Sequence, residues 1–332
     1  LNDAEETCRD ALALAEAHDG RIPPAGLAWA IRGDIQRERN QLVQAEQFIQ
    51  TGIELAREGG LTDDLQQAQL YLARLKLAQG DPVSARQAMK QALLILKAYR
   101  IPRLTGLALM LEAMMALKLG NLPAASSWAH AVGTDVQTDN REYMQEREKL
   151  ILARVWFAED RLPESQQLLE TVSSAARAAE RNGTLIEALV LLALISWQQG
   201  EADKSTAVMA ELIEKAEPHG YVRLFLDEGE PMRQIMAACL RQAQLAPFRA
   251  YGEQVLAAFG PAAAPDTAEV LSPQEIRILS LMAEGASNKD IAGDLFITVG
   301  TTKWHVHNIY EKLEVNNRTQ AVNRGRELGI IG

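Results

Sequence analysis

Two cysteines, Cys8 and Cys239, stand far apart in the 332 residues. Such low cysteine use excludes a disulfide framework and points to a reducing compartment. Histidine is also scarce. His305 and His307 lie two apart on a helix and so point to different faces, which is wrong for a shared metal, while His18, His130 and His219 fall near helix ends. Neither a Ser/His/Asp arrangement nor a Gly-x-x-x-x-Gly-Lys-Ser/Thr phosphate loop can be read. An enzyme is therefore not expected, and no cofactor or metal is assigned. The longest apolar run, Ala188 to Trp197, is too short to span a bilayer, and no signal peptide is read. No membrane partner is expected, and the location is read as cytoplasmic. Aromatic residues make up only 5% of the chain against 47% hydrophobic residues, many of them Ala and Leu. This balance favours an all-α chain of two or three domains with sizeable cores.

Positive charge is short as well. The formal net charge is −10, but the deficit is uneven. Residues 271–332 hold seven Lys/Arg and seven Asp/Glu, so the acidic excess lies entirely in 1–270.

The neutral C-terminal stretch carries three helix-start signals. Ser272 precedes Pro273, and Glu275 stands three residues on, which makes a capping box. Gly285 stops that helix. Ser287 restarts the chain, with Asp290 as an acidic variant of the box, and a short helix is expected from about Asn288 to Leu295. A third runs from Gly300 to Glu314. Thr302, Val306, Ile309, Tyr310 and Leu313 share one face of it. Gly300, Lys303, Trp304 and His307 share another, with Asn308 and Glu311 beside them. A cation, an aromatic ring and a hydrogen-bonding ring within two turns serve no folding need. A short helix, a tight turn and a helix with a polar N-terminal face form a helix-turn-helix DNA reader.

The motifs Leu-Ser-Pro-Gln-Glu (271–275), Ser-Asn-Lys-Asp-Ile-Ala (287–292), Thr301-x-Lys303-x-His305, Asn-Ile-Tyr-x-Lys-Leu (308–313) and Arg-Thr-Gln-Ala-Val (318–322) follow one another in order. Together they resemble the LuxR-type DNA-binding domain over nearly all of 271–332. The resemblance implies a small four-helix domain that binds double-stranded DNA, with its third helix in the major groove. Its fourth helix, near Arg318 to Leu328, would pair two copies. By position, Lys303, Trp304 and His307 would read base edges. Thr301, Ser287, Asn288 and Lys289 would lie near phosphates at helix N-termini. Asn308, Lys312 and Arg318 complete the candidate DNA-binding set. Gly300 stands where the family often has a cation, and Thr302 where it usually has Val or Ile. Each lost phosphate contact lowers the salt slope by about 0.9. With a neutral reader and an acidic remainder, a dimer or higher oligomer is expected on DNA.

Residues 1–220 repeat with a period of 40. Asn40, Gly80, Gly120, Asp160 and Gly200 fall in one register as turn residues. Seven positions earlier stand Gly33, Ala73, Ala113, Ala153 and Ala193; five later stand Ala45, Ala85, Ala125, Ser165 and Ser205. Two small residues twelve apart around a turn let antiparallel helices pack closely. The pattern resembles the tetratricopeptide repeat, with a period longer than the usual ~34 residues. An all-α helical-repeat superhelix over 1–220 is therefore expected. First helices are placed near 27–38, 65–79, 105–119, 143–159 and 184–199. The helix at 2–18 lacks a first-helix partner, with Cys8 where Phe48 and Trp128 recur. The chain also starts without Met, so it is read as a fragment of a longer polypeptide.

Residues 221–260 break the period and are expected to cap the array, followed by an Ala/Pro linker at 261–270. Asp227, Glu228 and Glu230 are expected to form a solvated loop rather than a metal site. The concave face is the expected site of a small-molecule or peptide effector or a partner protein, with Arg32, Gln36, Gln69 and Lys76 as candidate lining. Glu112, Lys149, Arg154 and Trp156 continue that set. The whole arrangement resembles the MalT-like subgroup of large ATP-dependent bacterial regulators, which implies a preceding ATPase domain; nothing in this sequence supplies its nucleotide loop. The expected function is transcription regulation, the array sensing an effector and gating the DNA reader. The alternative is a repeat-based interaction adaptor whose C-terminal helices only dock or dimerise.

Overall fold

Helices of seventeen residues joined by three-residue turns recur within residues 42–198, as seen in a computed structural model. The structure describes all residues except 17–21, 100–101, 134–141, 261–270, 272, 296–298, 314 and 332. The side chains of residues 16, 97, 99, 102–105, 107, 132–133, 142–145, 243–244, 273–274, 299–301, 304, 307 and 311 are also outside the description. No strand occurs among the described residues.

Helix α1 (Asn2–Glu16) precedes five antiparallel pairs. These are α2 (Ala25–Glu38) with α3 (Leu42–Glu58), α4 (Thr62–Ala78) with α5 (Pro82–Tyr99), and α6 (Pro102–Lys118) with α7 (Leu122–Gly133). The last two are α8 (Glu142–Ala158) with α9 (Leu162–Ala178), and α10 (Asn182–Gln198) with α11 (Ala202–Ala216).

All five turn residues of the 40-residue register have left-handed backbones: Asn40 (φ 61°), Gly80 (74°), Gly120 (73°), Asp160 (63°) and Gly200 (79°). At each, the next residue's N–H reaches back five positions, as from Gln41 to the Gln36 carbonyl (2.8 Å) and from Arg161 to Trp156 (2.8 Å). This is the Schellman closure of a helix end. Gly60, Glu180 and Gly220 adopt the same conformation midway between register positions, so the chain turns every twenty residues there. The first helices begin one to three residues earlier than their sequence patterns suggested. Glu180 carries a Cβ into a region that favours glycine. Glu180→Gly is expected to raise stability by about 0.5–1 kcal/mol, read from the thermal unfolding midpoint.

The small residues meet as their spacing requires. Ala45, Ala85, Ala125, Ser165 and Ser205 are fully buried against the facing first helices. Ser165 Oγ donates to the Ala153 carbonyl (2.7 Å) and Ser205 Oγ to that of Ala193 (3.0 Å), each across twelve residues.

After α11, a 3₁₀ turn (Glu217–His219) leads to α12 (Arg223–Leu226), α13 (Glu230–Cys239), a second 3₁₀ turn (Ala243–Phe248) and α14 (Arg249–Ala258). Phe225, Met232, Ile235 and Met236 join Leu189, Leu212 and Ile213 in one core, so this segment covers the apolar end of the last pair. Both cysteines are free and buried. The C-terminal unit has its own core, built by α15 (Pro273–Ala283), α16 (Asn288–Leu295), α17 (Val299–Lys312) and α18 (Arg318–Glu327) around Ile278, Leu279, Ile291 and Ile309. No described helix is long and apolar enough to cross a membrane.

Candidate nucleic-acid interface and inner cavity

Helix α16 starts on the expected box. The Asp290 N–H donates to Ser287 Oγ (3.3 Å), and the Asp290 carboxylate accepts from the Ser287 N–H (2.9 Å). Helix α17 crosses it with Thr302, Val306, Ile309 and Leu313 buried. Lys303 is exposed on the other side, Asn308 is half-buried, and Lys289 is exposed beside the start of α16. Thr301, Trp304 and His307 lie on α17 at the expected helical positions, but their side chains are outside the described residues. Burial of Thr302 shows that its hydroxyl does not prevent this face from serving as core.

Two of the candidate cations are occupied within the domain. Lys312 Nζ donates to the buried Glu275 carboxylate (2.7 Å), tying α17 to α15. His305 is half-buried near this pair, and burial holds its imidazole below the usual range despite the opposing pull of Glu275. Arg318 donates to the Met282 (3.0 Å) and Ala286 (2.5 Å) carbonyls, closing the end of α15. A phosphate contact by either cation must compete with these bonds. The start of α18 was visible in the sequence but its cap was not: Asn317 Oδ1 accepts from the Gln320 N–H (3.0 Å).

On the concave side a cavity of about 450 Å³ is lined by the first helices of all five pairs, by part of α5 and by α12. The acidic stretch contributes to its wall, contrary to the expected solvated loop. Glu228 accepts from Arg154 Nη1 at 2.7 and 2.8 Å. Asp227 pairs with Arg223 and stands 3.7 Å from Arg37, while its carbonyl accepts from Lys118. The Val222 N–H donates to the Glu38 carbonyl (2.9 Å), which pins this segment to the end of α2. Only Glu230 is exposed as expected, paired with Arg233.

The family model described as the MalT-like TPR region matches residues 1–243. The chain belongs to this family. A second model, described as bacterial regulatory proteins of the luxR family, matches residues 269–324 and covers all of α15 to α17. The HTH-type transcriptional regulator MalT of Serratia proteamaculans (strain 568) is 26% identical across 99% of this chain and 39% of its own length. Its namesake in Yersinia enterocolitica is 25% identical across 95% of this chain and 37% of its own length. That of Yersinia pestis (strain Pestoides F) is 25% identical, with 99% and 39% covered. The chain thus spans less than two fifths of the length of these curated relatives.

Within the MalT-like array, Arg154 lines the cavity and the other seven candidate groove residues do not. Arg32 stacks over Trp29 and Phe48 (5.3 and 4.7 Å to the ring centroids), and Gln36 is buried against Glu5. Gln69 is buried, and Lys76 reaches back to Glu46 (2.6 Å). Glu112 is exposed, Lys149 is half-buried, and Trp156 lies beneath Arg161 (4.8 Å). The lining instead uses Arg37, Arg74, Leu77, Leu111 and Leu150, mostly one position from those candidates. One step along a helix turns a side chain by about 100°, enough to move it off the inner wall.

Proposed function

We propose that the chain is the sensing and DNA-reading part of a bacterial transcriptional regulator rather than an enzyme, acting in the cytoplasm. The array responds to an effector on its concave face and gates the reader. The observation that carries this reading is the split of α17: a buried apolar face holds the helix in place while Lys303 projects from the opposite side, over the span that matches the luxR family. In the major groove, Lys303, Trp304 and His307 address base edges. Ser287, Asn288, Lys289, Thr301 and Asn308 approach phosphates. Lys312 and Arg318 act chiefly by holding the frame. The reader's neutral charge and the acidic array make one copy a weak binder, so two or more copies act together on DNA.

Selecting bound sequences from a random duplex pool tests this directly. A consensus should emerge that survives competitor DNA. Lys303→Ala with His307→Ala should reduce retention of that consensus by about 100-fold or more, since each good base contact contributes about 1–3 kcal/mol. Undiminished retention by a folded double variant would remove the assigned reading face.

A further inference from the structure

The concave cavity is lined by two kinds of side chain, interleaved along the same helices: Met114 and Met115 share α6 with Lys118, and Ile151 lies between Arg147 and Arg154 on α8. One is apolar, with Met89, Met114, Met115, Leu119, Ile151 and Leu191. The other is cationic, with Arg37, Arg74, Lys118, Arg147, Arg154 and Arg223. Four carboxylates share this lining: Glu38, Glu187, Asp227 and Glu228. Six cations and four acids thus line a cavity in a chain of net charge −10, with Asp34 standing behind Arg37 and Arg74 as a fifth acid.

Two of those four acids do not come from the repeats. Asp227 and Glu228 follow α12 and enter from the segment beyond the array. Removing them from the count leaves five repeat-borne cations (Arg37, Arg74, Lys118, Arg147, Arg154) facing Glu38 and Glu187. Arg37 and Arg74 also share Asp34, which leaves Lys118 and Arg154 served mainly by the entering segment. The Arg154–Glu228 pair is well shielded, its side chains 17% and 11% exposed. A buried cation needs an anion close by, and here the chain supplies one from its own capping segment. Gly229, next in sequence, has φ 68° and ψ −150°, a backbone open essentially only to glycine, and it separates Glu228 from α13.

We propose that this cavity binds a small amphiphilic anion, whose acidic head replaces the Glu228 carboxylate on Arg154 while its apolar body lies against the Met, Leu and Ile side chains of the lining. The proposal rests on the reading of the concave face as the effector site and names the ligand class. Glu228 is then an internal competitor. Its release loosens the turn at 227–229 that leads into α13, which stays anchored in the core of the last pair.

The test titrates the chain with 1-anilinonaphthalene-8-sulfonate, and in parallel with uncharged N-phenyl-1-naphthylamine, following fluorescence. Glu228→Gln should tighten the sulfonate about tenfold and Arg154→Gln should weaken it about tenfold, the scale of losing one close charge pair. The uncharged probe should follow neither change. Decanoate and decyl phosphate should displace the sulfonate, their ranking separating carboxylate from phosphate heads, and decanol should not. Thermal melts establish that both variants are folded, and opposite shifts from the two halves of one ion pair cannot arise from shared destabilisation. Shifts in the same direction, no shift, or equal shifts with the uncharged probe overturn the proposal. Duplex retardation is measured in the same samples. If the sulfonate binds as expected but retardation is unchanged, gating by the array fails and the ligand class stands. If retardation responds only to the uncharged probe, the ligand class fails and gating stands.

Discussion

Arg37→Ala should lower the unfolding free energy of the array by about 3–5 kcal/mol, the usual cost of removing one partner from a buried ionic cluster. Arg37 has a side chain only 3% exposed and serves three carboxylates. Its Nε meets Asp34 at 2.9 Å, it pairs with Glu38, and its Nη1 lies 3.7 Å from Asp227. Arg74 covers part of the same group, at 2.6 Å from Asp34 and 3.0 Å from Glu38, and Asp227 keeps Arg223, so the loss falls chiefly on Asp34 and Glu38, which Arg37 meets most closely. Arg37→Lys should restore little, because an ammonium cannot fork toward three acceptors held in different directions. Urea unfolding followed by ellipticity measures this, and coincident midpoints for the parent and Arg37→Ala would contradict it.

The same cluster fixes a pH dependence. Burial alone would raise the Asp34 carboxyl, but Arg74 and Arg37 outweigh it and hold it below its ordinary 3.8. Asp227 behaves alike: burial opposes Lys118, Arg223 and Arg37, and the cations prevail. For Glu38 burial prevails over Arg37 and Arg74, and its carboxyl is raised. A depressed carboxyl stabilises the fold above its unfolded pKa, and that contribution is lost as pH falls through the folded value. The raised Glu38 has the opposite sign, contributing at low pH and losing its contribution as pH rises through its folded value. The gap between the parent and Arg37→Ala should therefore narrow as pH falls below about 4, the range where the two aspartates take up protons.

Local pattern made the array and the reader legible, and contact across the superhelix was what remained hidden. The turn register at Asn40 through Gly200 could be read because left-handed ends select a few residue types, and the twelve-residue pairs because close packing selects small ones. The half-period turns were disguised where glutamate stands in the glycine conformation at 180. The buried face of α17 followed from helical spacing alone. By contrast, Glu228 finds Arg154 74 residues away, and the Asp227 carbonyl finds Lys118 at 109. No periodicity links such positions, so the acidic stretch read as a solvated loop. The lining of the cavity was harder to read for a related reason: its rotational setting depends on how successive pairs stack, and a shift of one position exchanges Arg37 for Gln36 and Leu77 for Lys76.

Gly52→Val should disrupt the first pair by about 3 kcal/mol or more, beyond the ordinary cost of overpacking, because the obstructing atoms are largely backbone. A Cβ on Gly52 would stand 2.6 Å from the Gly26 carbonyl oxygen and 2.9 Å from both the nitrogen and Cβ of Ala30. Gly26 meets the same crowding from the other side, 2.9 Å from the Gly52 oxygen. The two glycines thus form a second close crossing of α2 and α3, separate from Gly33 against Ala45, and valine can enter only if the helices part. In a repeat array each pair contacts mainly its neighbours, so the loss should stay local. Amide exchange should quicken through α1 to α3 while α9 to α11 keep their protection. Because α2 also carries Arg37 and accepts the Val222 N–H, the 221–229 segment should lose protection along with α2, although it lies about 170 residues from the substitution. Loss confined to α2 and α3, with Val222 still protected, would show that this segment is held by Arg154 and Lys118 alone.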